Sequence, residues 1–600
     1  MSEVKSPKYN TNLHYVKTKP IDWKTLEKNY VFNNSEEEEY KYNPFSIQKI
    51  QNYNPIYNHF FELNEKNYDK ISLNHRYHFQ NTNLVLDIEN DTVKNNDVFI
   101  KYSPLLDPYR YMTGKYKEIK NLTTLPKPPL ENLSKKEEEK DDESPLKLSD
   151  PNNASYVDNF FSFLASRLIY QYKYPHSVDY YGSFLGIQHL FKVNIADDIE
   201  FLQSSDYYLE NNRKLFYVVK GEDDPISTGS RANKNRLNLA SSYRHNFTVI
   251  SLGEPMVPPI PLLSNEQYLE EGVSGGTIGS PDGLIYEKDM SNVNDKDSSS
   301  ESDSDSSESE SCSEKGEDEL EEDELKCSES DESEVESDDD SDNYTDFSED
   351  VARYAYIKDF PIQLICLEKC DGTMDELFMK KQMTEQKGAS ALFQVIMILL
   401  TYQKLFQFTH NDLHTNNIMY SETYQEFLYY KWNGNVYKVP TYGKIFKIID
   451  FGRSIYRYNG RIFCSDSFAT GGDASTQYNT EPYFNEDKPR IDPNYSFDLC
   501  RLGCSIYDFI IDDDEPRTVA GFNELQKTIH RWCINDFGKN VLYKKNGEER
   551  YPGFKLYRMI AKTVHKHTPE EQLKYPFFNQ FLYKNKKNLK NLKIVDIDAM

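Results

Sequence analysis

Hydrophobic residues recur along the chain in distinct rhythms, and each rhythm predicts a different element. From Ala391 to Phe406 (ALFQVIMILLTYQKLF) the chain is apolar nearly all round, which predicts a helix enclosed by core. Tyr156 to Tyr172 instead sets Val157, Phe160, Phe161, Phe163, Leu164, Leu168 and Ile169 on a helical period, and Tyr174-Pro175-His176 ends it. Strands are predicted where Tyr77, Phe79, Leu84, Val85, Leu86 and Ile88 alternate in part with polar residues, in DVFIKY from Asp97 to Tyr102, in Tyr180 to Phe184, and in the apolar run Phe360 to Leu367. Lys447 to Asp450 reads as a short apolar strand ending in a carboxylate, and Asn433-Gly434 as the turn of a hairpin.

Other stretches have no sustained rhythm. Residues 1–75 are rich in Asn, Tyr and Lys and read as an N-terminal extension. Lys115 to Asp150, with its Lys, Glu and Pro, reads as a surface insertion. Residues 196–351 form a longer one, which holds the extended piece EPMVPPIPLL and a glycine cluster from Gly272 to Gly279. It also holds an acidic serine tract at 298–350 that is predicted to be disordered, because it has too little apolar surface to offset its ordering entropy.

Charge changes the picture only locally. The formal net charge is −28, but residues 301–350 hold 25 Asp or Glu against two Lys, so the remainder carries only −5. A nearly neutral folded part argues against nucleic acid as a partner, since such binding needs a basic surface to displace counterions. No membrane is implied either: the strongest apolar stretch, around Val395 to Leu400, is far shorter than a span, and Met1 to Thr18 is polar and charged. Eight cysteines lie far apart, with Cys366/Cys370 and Cys500/Cys504 as the only close pairs, which suggests a reducing, intracellular compartment. Six hundred residues predict two or more lobes or domains.

Candidate chemistry sits just after the most apolar helix. FTHNDLHTNNIMY, Phe408 to Tyr420, places Asp412 five positions before Asn417, and Lys447-Ile448-Ile449-Asp450-Phe451-Gly452 adds a second Asp at a strand end. Phosphoryl transfer uses such a set: one carboxylate accepts the attacking hydroxyl's proton, while a second carboxylate and an amide hold magnesium. Either motif alone is better explained by polar loops that cap neighbouring helices, and it is their order and setting together that carry weight.

His-x-Asp-x-x-x-x-Asn followed by Asp-Phe-Gly resembles the catalytic loop and metal motif of the eukaryotic-type protein kinase superfamily. Val98-Phe99-Ile100-Lys101 resembles its lysine strand, Glu368 to Leu377 its hinge, Asp498-Leu499-Cys500-Arg501-Leu502-Gly503 the start of its central helix, and Tyr575-Pro576-Phe577-Phe578 its closing residues. The insertions and composition are similar to the divergent kinase-like proteins of giant DNA viruses. That resemblance implies an α+β, two-lobed fold: extension 1–75, a mostly β small lobe at 76–195 with insertion 115–150, insertion 196–351, last strand and hinge 352–368, and a mostly α large lobe with tail at 369–600. It implies ATP and Mg as cofactors, Asp412 as catalytic base, Asn417 and Asp450 as metal ligands, and Lys101, Glu368 and Cys370 at the nucleotide. It further implies serine/threonine-protein kinase activity on an unidentified protein substrate, in the host cytoplasm or the virion.

The sequence departs from the pattern in four places. No glycine precedes Gly114, so no glycine-rich loop leads into Lys101. The helix at 156–172 contains no Glu for Lys101, and its one acid, Asp158, is expected to lie too near the start. His410-Asn411-Asp412 lacks the usual Arg, which argues against control by a phosphorylated activation segment, and His414 stands where Lys is common. These departures leave two alternatives open, a pseudokinase scaffold and a small-molecule phosphotransferase.

Overall fold

An apolar strand such as Phe360 to Leu367 needs neighbours at both edges and cover for its side chains. The chain supplies both. In the computed structural model, which describes residues 13–18, 20–129, 144–220, 242–245, 284–287, 353–511, 521–544, 547–585, 589 and 592–600, the fold is mixed α+β. The acidic serine tract, the glycine cluster, the EPMVPPIPLL piece and the middle of the 115–150 insertion lie outside the described residues.

Five strands make the largest sheet: β1 (Ile47–Gln51), β2 (Val98–Pro104), β3 (Tyr180–Asn194), β4 (Phe216–Lys220) and β5 (Arg353–Glu368). The antiparallel order is β1-β3-β5-β2, with β4 paired to the first residues of β5. Register sets Lys101 opposite Ile365 and Val98 opposite Glu368. A separate three-stranded meander, Tyr77–Asn81, Leu84–Asp87 and Thr92–Asn95, leads into β2 and is tied to it where the Val98 amide donates to the Thr82 carbonyl at 2.7 Å.

The stretch before residue 75, which showed no period, is built into this sheet. Besides β1, it sends Trp23 edge-on against Phe184 with centroids 5.1 Å apart and Tyr42 against Tyr356 at 5.3 Å. Ile47 lies so close to Gly186 that a Cβ there would come within 2.4 Å of Ile47 Cγ2. These are contacts between short elements and single aromatic rings, so no helical or strand period marks them in the sequence.

Helix α1 (Ala154–Tyr172) starts at the Asn153 cap and ends on Lys173 in the left-handed conformation. It packs on the sheet through Phe163 against Tyr180, whose hydroxyl donates to Asn159 at 2.9 Å. Beyond residue 370 the chain forms α2 (Glu385–Phe406), α3 (Phe497–Ile510), α4 (Glu524–Trp532) and α5 (Lys555–Thr563), with a small sheet of β6 (Gly372–Thr373), β7 (Ile418–Glu422) and β8 (Lys444–Ile448). By length and composition α2 could cross a membrane, but its residues are buried inside the fold, as the all-round apolar pattern predicts for a core helix. Gly503 lets α3 approach α4, since a Cβ there would stand 3.0 Å from Trp532 Cβ. The expected turn at Asn433-Gly434 joins Phe427–Trp432 to Asn435–Pro440, with both residues at positive φ as a tight hairpin requires.

Two buried side chains join α1 and its exit to the rest of the molecule. Phe161 stacks on Phe408 with centroids 4.3 Å apart and meets Phe451 edge-on at 4.7 Å. His176, on the turn after α1, donates from Nδ1 to the Phe446 carbonyl at 2.8 Å and accepts at Nε2 from Tyr430, also at 2.8 Å. Burial pushes its pKa down to about 4.

Two outcomes are expected. Phe161→Ala should cost about 3–5 kcal/mol of stability, the range for truncating a buried aromatic, whereas Tyr424→Ala, at a fully exposed ring, should be neutral in urea unfolding. For His176 the folded pKa lies below the unfolded value near 6.5, so its contribution is whole above pH 6.5 and falls by about 3 kcal/mol as pH drops towards 4. The stability gap between wild type and His176→Gln should therefore narrow across that window, and a gap independent of pH would contradict the assignment.

Candidate active site

The loop from Phe408 to Asn417 has no regular structure until Thr415, so its shape depends on what its amides bond to. Asp498, in the first turn of α3, takes two of them: the His410 amide donates to Oδ2 at 2.9 Å and the Asn411 amide to Oδ1 at 2.8 Å. Asn411 is left-handed, with φ of 66°, a conformation that Asn tolerates better than most residues. Its side chain is held by the Arg453 carbonyl at 2.9 Å and by the Tyr478 hydroxyl at 2.8 Å. Thr409 and Ile455 exchange two backbone hydrogen bonds. The His410 ring closes the loop: its Nδ1 accepts from the Asp412 amide at 3.3 Å, so Nε2 carries the proton and donates to the Ile449 carbonyl at 2.9 Å.

Asp412 and Asn417 are brought together through the backbone. Asn417 Nδ2 donates to the Asp412 carbonyl at 3.0 Å, and the Asn417 carbonyl accepts from the Ile449 amide at 3.0 Å, which puts Asn417 beside the residue preceding Asp450. The Asp412 carboxylate is 1% exposed. Its Oδ1 accepts from the Tyr557 hydroxyl at 2.8 Å, and Arg501 Nε stands 4.0 Å from the same oxygen. Asp412 Oδ2 and Asn417 Oδ1 are buried acceptors without a hydrogen-bond partner.

Lys101 lies between two carboxylates. Its Nζ is 2.7 Å from Asp158 Oδ2 and 2.8 Å from Asp450 Oδ1. Burial opposes the charge on Lys101, but the paired carboxylates outweigh it and raise its pKa. Burial likewise opposes ionisation of Asp450, where Lys101 prevails and holds the carboxyl below its ordinary value; at Asp158 burial prevails and raises it. Asp158 Oδ1 also accepts the Phe451 amide at 2.9 Å, so one side chain fixes both the ammonium and the residue after Asp450.

This corrects the sequence reading of Asp158, which placed it too far towards the helix start. Because Phe161, three residues on, packs against Phe408 and Phe451, the amino-terminal half of α1 lies over Lys101. That end is anchored as well: the Ala154 amide donates to Asp466 Oδ1 at 3.1 Å, and Lys147 pairs with the other oxygen of Asp466. A single carboxylate in a helix whose one other charged residue is Arg167 was the available signal.

Glu368 and Cys370 are not part of this cluster. By register Glu368 is three residues further along β5 than Ile365, the partner of Lys101, a separation of about 10 Å. Its carboxylate is engaged by Lys447 Nζ at 2.7 Å to each oxygen and by the Asp179 amide at 3.0 Å. Burial raises Asp179 itself to about 6. Cys370 is buried, and burial pushes its thiol up to about 12. The contacts of Tyr557 and Arg501 with Asp412, and of Lys447 with Glu368, had no signature in the sequence, because each joins elements tens to over a hundred residues apart.

Among the described residues no three His, Cys, Asp or Glu side chains converge as a metal cage. A hard divalent ion such as magnesium does not need one, since it is commonly held by one or two protein oxygens together with phosphate and water. The unpartnered Asn417 Oδ1 and the Asp450 carboxylate are oxygens of that kind. No protein-family model matches the chain, and no curated protein matches it.

Removing the cation should expose the cost of this cluster. Lys101→Met leaves two buried carboxylates uncompensated, and about 3–5 kcal/mol of stability should be lost at pH 7. Without Lys101 both acids have folded pKa values above the unfolded 3.8, so stability should recover as pH falls towards 4. Urea unfolding of the variant at pH 7 and pH 5 checks the sign, and equal losses at both would refute it.

Proposed function

We propose that this chain is a magnesium-dependent protein kinase of the two-lobed eukaryotic type, which transfers the γ-phosphoryl group of ATP to Ser or Thr hydroxyls of a protein substrate. The observation that carries the reading is the pairing of Lys101 with both Asp158 and Asp450, from three different elements. A lysine so held presents a fixed positive charge to phosphate oxygens. Two carboxylates against one ammonium leave a surplus negative charge, which a site that receives a divalent cation requires.

The residues divide the work as follows. Lys101, held by Asp158, would orient the α- and β-phosphates. Glu368, about 10 Å away along the strand direction, and Cys370, two residues past the strand end, would offer backbone groups to the adenine. Asn417 Oδ1 and Asp450 would hold magnesium, which when bound neutralises charge on the phosphates. Asp412 would orient the acceptor hydroxyl and take its proton through Oδ2. The meander before Val98 contains no glycine, so any cover it gives the phosphates comes from ordinary backbone and side chains. All six cysteines among the described residues are free and buried thiols, which supports a reducing, intracellular setting. The kinship with viral kinase-like proteins is part of the same proposal and rests on the composition and the pattern of insertions.

The test is phosphate transfer from radiolabelled ATP to generic acceptor proteins. Asp412→Asn should lower kcat by about 10²- to 10⁴-fold with the fold intact, the range for loss of a positioned general base. Equal rates in wild type and variant would remove Asp412 from the chemistry. Absence of transfer by the wild-type chain would favour a non-catalytic scaffold.

A further inference from the structure

The two oxygens of the Asp412 carboxylate are treated differently. Oδ1 is taken by Tyr557 and Oδ2 is left without a partner. The hydrogen-bond direction along the first arm is determined by chemistry. Arg501 Nε lies 2.7 Å from the Tyr557 oxygen, and a guanidinium can only donate. The tyrosine's single proton must therefore point to Asp412 Oδ1, giving a one-way chain from Arg501 through Tyr557 to the carboxylate.

Both donors are fixed from behind. Tyr557 lies parallel to Phe554 with centroids 5.0 Å apart and an interplanar angle of 7°, and is 2% exposed. Arg501 is one turn along α3 from Asp498, the residue that holds the His410 and Asn411 amides. One face of α3 thus positions the backbone of the loop through Asp498 and the side chain of Asp412 through Arg501 and Tyr557. The Arg501 charge, 4.0 Å from Oδ1, also compensates a carboxylate that has almost no contact with solvent.

Resting on the kinase reading above, we infer that Tyr557 and Arg501 are positioning residues for Asp412. They hold Oδ1 and so aim Oδ2 at the acceptor hydroxyl. In the step they serve, the acceptor oxygen bonds to the γ-phosphorus while its proton passes to Asp412 Oδ2. The bond between the γ-phosphorus and the bridging oxygen breaks, and its electron pair stays on the β-phosphate of ADP. Neither Tyr557 nor Arg501 exchanges a proton.

The experiment compares full-length wild type, Tyr557→Phe, Arg501→Lys and Asp412→Asn in transfer from ATP to dephosphorylated casein, varying each substrate, with melting temperatures recorded alongside. Tyr557→Phe keeps the ring and loses only the relay, so kcat should fall about 10- to 100-fold, the cost of a misaimed reacting group. KM for ATP and for casein should stay within about twofold, because neither residue is placed at the nucleotide. Arg501→Lys, which keeps the charge but loses the planar donor, should fall between wild type and Tyr557→Phe, and it serves as the probe if the phenylalanine variant does not fold. A folded Tyr557→Phe enzyme with unchanged kcat overturns the proposal. So does one with raised kcat, which would mean that the hydroxyl obstructs the base. If Asp412→Asn is as active as wild type, or wild type transfers nothing, it is the kinase reading that fails.

Discussion

A buried ammonium group is costly unless anions meet it, and Lys101 is met from two directions by residues that no local structure would bring together. The strand β2 supplies the lysine, α1 supplies Asp158, and the segment after β8 supplies Asp450. Each of the three must be in place for the ammonium to be met from both sides. The constraint therefore reaches well beyond the contact: it sets the height of α1 over the large sheet and the path of the chain through Phe451, whose amide returns to Asp158. The aromatic packing of Phe161 on Phe408 and Phe451 acts in the same direction, with dispersion and apolar burial supporting a geometry that the charges specify.

The loop that carries Asp412 is held by a separate device. Asp498 satisfies two consecutive amides that would otherwise be buried donors, and Asn411 absorbs the left-handed turn that lets both point the same way. The ring of His410 then bonds forward to the Asp412 amide and across to Ile449. The loop's shape is thus set mainly by α3 and the ion cluster by α1 and β2, and the two meet where Asn417 and the His410 ring bond Ile449 and where Phe161 stacks on Phe408.

Much of this was legible beforehand. The core helix around Ala391 to Phe406, the helix at Tyr156 to Tyr172, the lysine strand, the strand ending at Glu368 and the Asn433-Gly434 hairpin all carry periodic or turn signals that act within a few residues. The bracing role of Asp498 was only implied, by the resemblance of the stretch from Asp498 to Gly503 to the start of a kinase central helix. Asp158 was misjudged because sequence gives a residue's position along a helix but not where the helix crosses its neighbours. The stretch before residue 75 was misjudged because Trp23, Tyr42 and Ile47 each pack singly, in no period.

By itself, then, the sequence determined the local elements and the order in which the acids, the lysine and the amide occur, since side-chain periodicity and turn chemistry are short-range properties. Only the tertiary structure decided which carboxylate meets Lys101, which oxygen of Asp412 is occupied, and that Glu368 is bound to Lys447. Those outcomes depend on charges from distant segments having to find partners once water is excluded, and the partner chosen is whichever the packing of whole helices and strands brings within about 3 Å.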